Sequence, residues 1–216
     1  MKPTDDLTLP GLVHDLNNVL QTLVDAADLL SGDPRWTKLS AAILRSVERG
    51  KKIGASMQAS GASRTPFESI LANAIAFVED SLIAGRGPEI AFECDVERGI
   101  LLGGNWAWER VLINLFLNAM RAMPAGGTIQ VRARRKGECN EIVVSDEGSG
   151  IPPEILERLF HPHISGNGSS GLGLHIVETV VKQDGGEVRA ANRPGGIGAE
   201  FTIRLPARPR ARPAGA

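Results

Sequence analysis

Along residues 11–30, GLVHDLNNVLQTLVDAADLL, apolar and polar positions recur every three or four residues, the spacing that puts side chains on one face of a helix. Leu16, Leu20, Leu23, Ala27 and Leu30 make an apolar stripe, and His14, Asn18, Gln21 and Asp25 make a polar one. The pattern predicts a helix from near Pro10 to about Leu30, with His14 turned to water. A proline is tolerated in the first turn, and Gly32 and Pro34 of SGDPRW end the helix. A second helix is predicted from about Thr37 to Gln58. Its apolar seam is Leu39, Ile43, Val47 and Met57, and Gly50 and Gly54 weaken it. Two helices cannot enclose a core, so a homodimer forming a four-helix bundle is the expected way to bury both seams.

After the joint ASGASRTP the pattern mixes both periods. FESILANAIAFVEDSLI and NWAWERVLINLFLNAMRAM read as helices, and EIAFECDV as a strand. TIQVRARRK and NEIVVSDEG read as two strands of a hairpin. The helix GLHIVETVVKQDG and the strands GEVRAAN and AEFTIRLP close the pattern. The expected fold class is α+β: a helical hairpin (residues 1–63), then a helix-backed, mostly antiparallel sheet (64–206), then a basic, proline-rich tail (207–216).

Composition narrows the function classes. The chain has 216 residues, 42% hydrophobic and 23% charged, with a net charge of −1. That balance gives no case for general nucleic-acid binding. No apolar run approaches the roughly 20 residues needed to cross a bilayer, and MKPTDDLTLP lacks a signal-peptide core, so a cytoplasmic location and no membrane span are expected. Cys94 and Cys139 stand alone in strand-like stretches and read as buried thiols, without zinc spacing.

Three boxes in the second part carry chemistry. VVSDEGSGIP ends a strand with Asp146 and turns on Gly148 and Gly150. A carboxylate there can accept a hydrogen bond from an exocyclic amine, while the glycines let backbone approach a flat ring. GSSGLGLHIV sets Gly171, Leu172 and Gly173 at a helix start, where free N–H groups favour phosphate. NLFLNAMRA puts Asn114, Asn118 and Arg121 on one helical face, where amide oxygens suit Mg²⁺ and the guanidinium suits a phosphate. Each box alone is compatible with a plain turn, a packing device or a solvated helix face.

Their order changes the weighing. HDLNN, NLFLNA, DEGSGIP, LERLF, GLGL and GGIGAEFTIRLP resemble, in sequence order, the H, N, G1, F, G2 and last glycine motifs of two-component sensor histidine kinases. The resemblance covers about residues 11 to 206. It implies a dimerisation and histidine-phosphotransfer hairpin followed by a Bergerat-type ATP-binding sandwich of the gyrase–chaperone–kinase–MutL kind, with ATP and Mg²⁺ as cofactors. By motif, Asp146 would read the adenine amine and Asn118 would bind Mg²⁺. Asn114 and Arg121 would lie near the phosphates, with Gly148, Gly150, Gly171 and Gly173 shaping the pocket and 151–170 forming a lid. His14 would accept the phosphoryl group with Asp15 as its base. Asn18, one turn on, sits where this family's phosphatase activity is placed. The partner would be a response-regulator receiver domain.

Two features depart from the family. The lid carries HPHISGNGSSG, with Asn167 near the place of a lysine common in relatives; Arg121 could supply that charge, and slow transfer is an expectation. His161 and His163 there read as surface residues, since no third metal ligand is evident. The thirteen residues before His14 are too few for a sensor, which leaves a stand-alone kinase core, a separate sensor protein, or a fragment of a longer chain. The alternative reading is a kinase-shaped histidine phosphotransferase that does not use ATP; the intact nucleotide boxes speak against it. An ATPase or serine kinase sharing only the ATP domain is disfavoured by the H box.

Overall fold

The computed structural model describes residues 9–33, 35–58, 64–85, 88–162, 172–195 and 197–207. Gly171, His163, Asn167 and most of the basic tail lie outside them. The chain divides into two compact units, residues 1–63 with 83–86, and residues 64–82 with 87–216.

The first unit is a helical hairpin of α1 (Leu9–Ser31) and α2 (Thr37–Gln58). Leu20, Ala27 and Val47 are buried between the helices, and Ser40 is buried with its hydroxyl donating to the Ala27 carbonyl at 2.8 Å. Gly50 faces Leu20: a Cβ there would stand 2.7 Å from Leu20 Cδ2. The glycine that weakens α2 as an isolated helix therefore lets the two helices approach. Leu23 and Leu39 depart from the expected seams, being 44% and 45% exposed. One hairpin covers only one side of each helix, and these two residues point to the other.

The second unit begins with β1 (Arg64–Pro66) and all but the last residues of α3 (Phe67–Gly85), followed by β2 (Ile90–Val96), β3 (Leu101–Gly103) and α4 (Asn105–Ala122). It continues with β4 (Gly127–Lys136), β5 (Cys139–Ser145), α5 (Pro153–Leu156), α6 (Gly173–Gln183), β6 (Glu187–Asn192) and β7 (Ala199–Pro206). β1 and β3 form a two-stranded sheet, and the main sheet has the order β2-β4-β5-β7-β6. Its β2–β4 pair is parallel and the others antiparallel. A parallel pair needs a crossover connection, and α4 lies on it. In β7, Phe201, Ile203 and Leu205 are buried while Arg204 is exposed, the period-two pattern of a sheet covered on one face. Trp108, Phe116, Ile129, Ile142 and Ile203 centre the core between the helices and that face. The result is an N-terminal helical region followed by a mixed α/β sandwich.

The other face of the sheet is polar. Glu141 receives Lys136 Nζ at 2.5 Å and Arg204 Nε at 3.0 Å, while Arg134 pairs with Asp95. These residues line a concavity of about 530 Å³ that includes neither Asp146 nor the N-box asparagines. Cys94 and Cys139 are free and exposed, not buried. Cys94 lies on the edge strand β2, and Cys139 opens β5 beside its turn. No helix of the described residues is long and apolar enough to cross a membrane.

Candidate nucleotide site

Asp146 follows the last residue of β5 and is only 3% exposed. Its Oδ1 accepts the Gly148 N–H at 2.9 Å and the Ala199 N–H at 3.1 Å. The first bond is the local loop an aspartate forms with the residue two ahead. The second ties the loop to the start of β7, as does the Asp146 N–H donating to the Ala199 carbonyl at 3.0 Å. Among the described residues both donors sit on Oδ1, which leaves Oδ2 as the acceptor for an incoming amine.

The glycines bring the boxes together. A Cβ on Gly148 would stand 2.5 Å from Ala122 Cβ, and the Ser149 N–H donates to the Ala122 carbonyl at 3.2 Å. The loop after Asp146 thus rests on the end of the helix that carries the N box. A Cβ on Gly173 would stand 2.8 Å from Asn114 Oδ1, so the same helix also meets the start of α6. Gly150 has φ +75°, a left-handed conformation that favours glycine.

On α4, Asn114 donates its Nδ2 to the Arg110 carbonyl at 2.8 Å, and Arg121 Nη1 donates to Asn118 Oδ1 at 3.1 Å. Asn118 Oδ1 therefore already faces a positive group, which fits a cation ligand. An amide oxygen belongs to the oxygen class of ligand that Mg²⁺ takes. His161 is exposed. Gly171 lies outside the described residues, Leu172 is exposed, and Gly173 opens α6 without a side-chain cap. The first-turn N–H groups of such a helix have no intrahelical acceptor and attract anions.

The segment expected to be a lid is packed at its beginning. Ile151 and Leu159 are buried, and His175 Nδ1 lies 3.3 Å from the Phe160 carbonyl. Residues 163–170 lie outside the described residues. In the hairpin, His14 and Asp15 fall within α1, their side chains outside the described residues, while Asn18 is exposed and its carbonyl accepts the Thr22 hydroxyl at 3.1 Å.

Sequence reasoning missed several supporting residues. Arg193 Nη1 donates to the Asp146 carbonyl at 3.0 Å, Glu147 Oε2 accepts the Thr128 N–H at 2.9 Å, and Asn192 pairs with Ile151. Each bond spans 19 to 47 residues, so no local spacing announces it.

Several known proteins are similar to this chain. Residues 106–209 match the family described as histidine kinase-, DNA gyrase B-, and HSP90-like ATPase. The sensor histidine kinase ZraS of Salmonella typhimurium is 41% identical over 99 residues, 45% of this chain and 21% of that protein. The sensor kinase CckA of Brucella abortus is 30% identical over 223 residues, 91% of this chain and 23% of that protein. The chain thus spans under a quarter of the length of these relatives. Among solved structures, the mycobacterial sensor histidine kinase MprB is similar with a TM-score of 0.60 and 27% identity, covering 69% of this chain and 99% of that one. Full-length ShkA in complex with AMPPNP has the same fold with a TM-score of 0.59, covering 92% of this chain and 45% of that one.

Proposed function

Since residues 106–209 belong to the histidine kinase-, gyrase B- and HSP90-like ATPase family, within a chain of histidine-kinase-like fold, we propose that the protein is an ATP-dependent protein-histidine kinase that phosphorylates His14. The observation that carries this reading is the Asp146 carboxylate, buried and pinned through Oδ1 by Gly148 and Ala199. A buried carboxylate fixed in this way presents Oδ2 to the adenine amine. Gly148 and Gly150 let the loop beside that carboxylate close onto Ala122 and Asn192, and the start of α6 faces the phosphates.

Asn118 Oδ1 would hold a bound Mg²⁺, which would supply positive charge to neutralise the phosphates. Arg121, which now caps that oxygen, is placed to move onto a phosphate. A ring nitrogen of His14 attacks the γ-phosphorus; the N–P bond forms as the bond to the bridging oxygen breaks and ADP leaves. Asp15 accepts the ring proton. The phosphoryl group then passes to an aspartate oxygen of a response-regulator receiver domain, with the N–P bond broken and His14 regenerated.

Dimerisation belongs to the same proposal. Val19 and Leu23, four residues apart on α1, are 60% and 44% exposed, and a second hairpin would cover them as a four-helix bundle. A signal would come from a sensor domain or a separate sensor protein, and the kinase would act in the cytoplasm. The test is incubation with Mg²⁺ and γ-labelled ATP. The proposal expects label on the protein that is labile in acid and stable in base. Absence of label, or label stable in acid, would contradict it.

A further inference from the structure

We infer that Asn192 is a positioning residue for nucleotide binding, holding the far end of the Asp146–Ile151 loop in the shape that receives the base. This rests on the reading of that loop as the base pocket and adds a residue outside every box. The loop is pinned at both ends by one connection, the turn between β6 and β7. At the near end Ala199 and Arg193 bond to Asp146. At the far end Asn192 Oδ1 accepts the Ile151 N–H at 2.6 Å, and Asn192 Nδ2 donates to the Ile151 carbonyl at 2.8 Å.

A side-chain amide supplies one acceptor and a donor side by side, and so can satisfy both backbone groups of a single residue. The fit extends to Gly150, where a Cβ would stand 2.8 Å from Asn192 Oδ1. The clamp therefore requires glycine at position 150. Ile151 is buried, whereas Asn192 ends the edge strand β6 and is exposed. Asn192 thus adds little to the core, and its two bonds act on the loop.

The consequence lies in when the loop is ordered. Fixing backbone residues costs conformational entropy. With the clamp, Glu147–Gly150 are ordered on folding; without it, that cost falls on nucleotide binding and weakens it.

The experiment compares the full chain with Asn192→Ala, Asn192→Asp and Asp146→Asn. Asp146→Asn keeps an Oδ1 acceptor while replacing the oxygen offered to adenine. Three quantities are read: amide exchange at Ile151 without nucleotide, ATP affinity by calorimetry, and melting temperature. For Asn192→Ala the expectation is faster Ile151 exchange, ATP affinity lower by about 3- to 30-fold, and a nearly unchanged melting temperature. Asn192→Asp keeps the acceptor for the N–H but sets a carboxylate oxygen against the Ile151 carbonyl, and should also bind ATP more weakly than the parent. Unchanged ATP affinity in Asn192→Ala, with affinity lost in Asp146→Asn, would overturn the inference and leave the site reading intact. Unchanged Ile151 exchange, or a lowered melting temperature without an affinity change, would also overturn it. Unchanged affinity in both Asn192→Ala and Asp146→Asn would remove the site reading and the inference together.

Discussion

Gly198 lies so close to Asp146 that a Cβ on Gly198 would collide with the Asp146 carbonyl oxygen. Its φ of +89° is one that L side chains rarely adopt. Two independent constraints thus demand glycine at the place where β7 begins to hold the carboxylate.

Gly198→Ala should therefore disturb both stability and site. The left-handed backbone alone costs about 1–2 kcal/mol, and the contact with backbone cannot be relieved by a side-chain rotation. A loss of at least about 2 kcal/mol in unfolding free energy is expected, together with weaker ATP binding. Denaturant unfolding and calorimetry on the same sample measure both; parent-like values in each would contradict the contact.

Glu141 predicts an acid-sensitive sheet. The Lys136 ammonium beside it, with the Arg204 guanidinium, holds its carboxyl below the usual carboxylate range. A group whose pKa is lowered on folding contributes stability above its unfolded value, near 4.3, and that contribution is lost as pH falls through the folded value. Glu141→Gln should lower stability at neutral pH by about 1 kcal/mol and flatten the decline below about pH 4.3. Melting curves across pH 2–7 for both proteins check this. Parallel declines would show that Glu141 carries no such linkage.

What was legible in the sequence is what repeats locally. The helical spacing of α1 and α2, and the period-two alternation of β4 and β7, show in the chain itself. The seam residues Leu23 and Leu39 show where that reading stops: periodicity marks an apolar position but not which of two partners covers it. Strands β1 and β3 are three residues each, and β1 carries Pro66, so neither has a pattern of its own. Cys94 and Cys139 were misplaced because a strand-like stretch does not say whether its strand is an edge or where its turn begins. At the candidate site, Asp146, Gly148 and Gly150 stood out through their close spacing. Asn192 and Arg193 did not, because the groups they bond lie 41 and 47 residues away.

Asn18 is predicted to separate two activities. It follows His14 by one helical turn on α1 and is exposed, where its amide can hold a water in line with an aspartyl phosphate docked against the hairpin. Asn18→Ala, in which alanine is the better helix former, should keep autophosphorylation while slowing loss of phosphate from the receiver domain about tenfold or more. The decay of a purified phosphorylated receiver is the measurement. Equal decay with both proteins, or loss of autophosphorylation in the variant, would rule out this role.

The central claim is that ATP bound in the second unit phosphorylates His14 in the first. Replacing His14 with Gln keeps a polar, helix-compatible side chain in α1 and leaves the Asp146 loop untouched. The most direct measurement is therefore transfer of label from γ-labelled ATP to parent and His14→Gln proteins, with ATP affinity determined alongside. The account predicts label on the parent, none on His14→Gln, and equal ATP affinity in the two. Label persisting on the His14→Gln protein would contradict it.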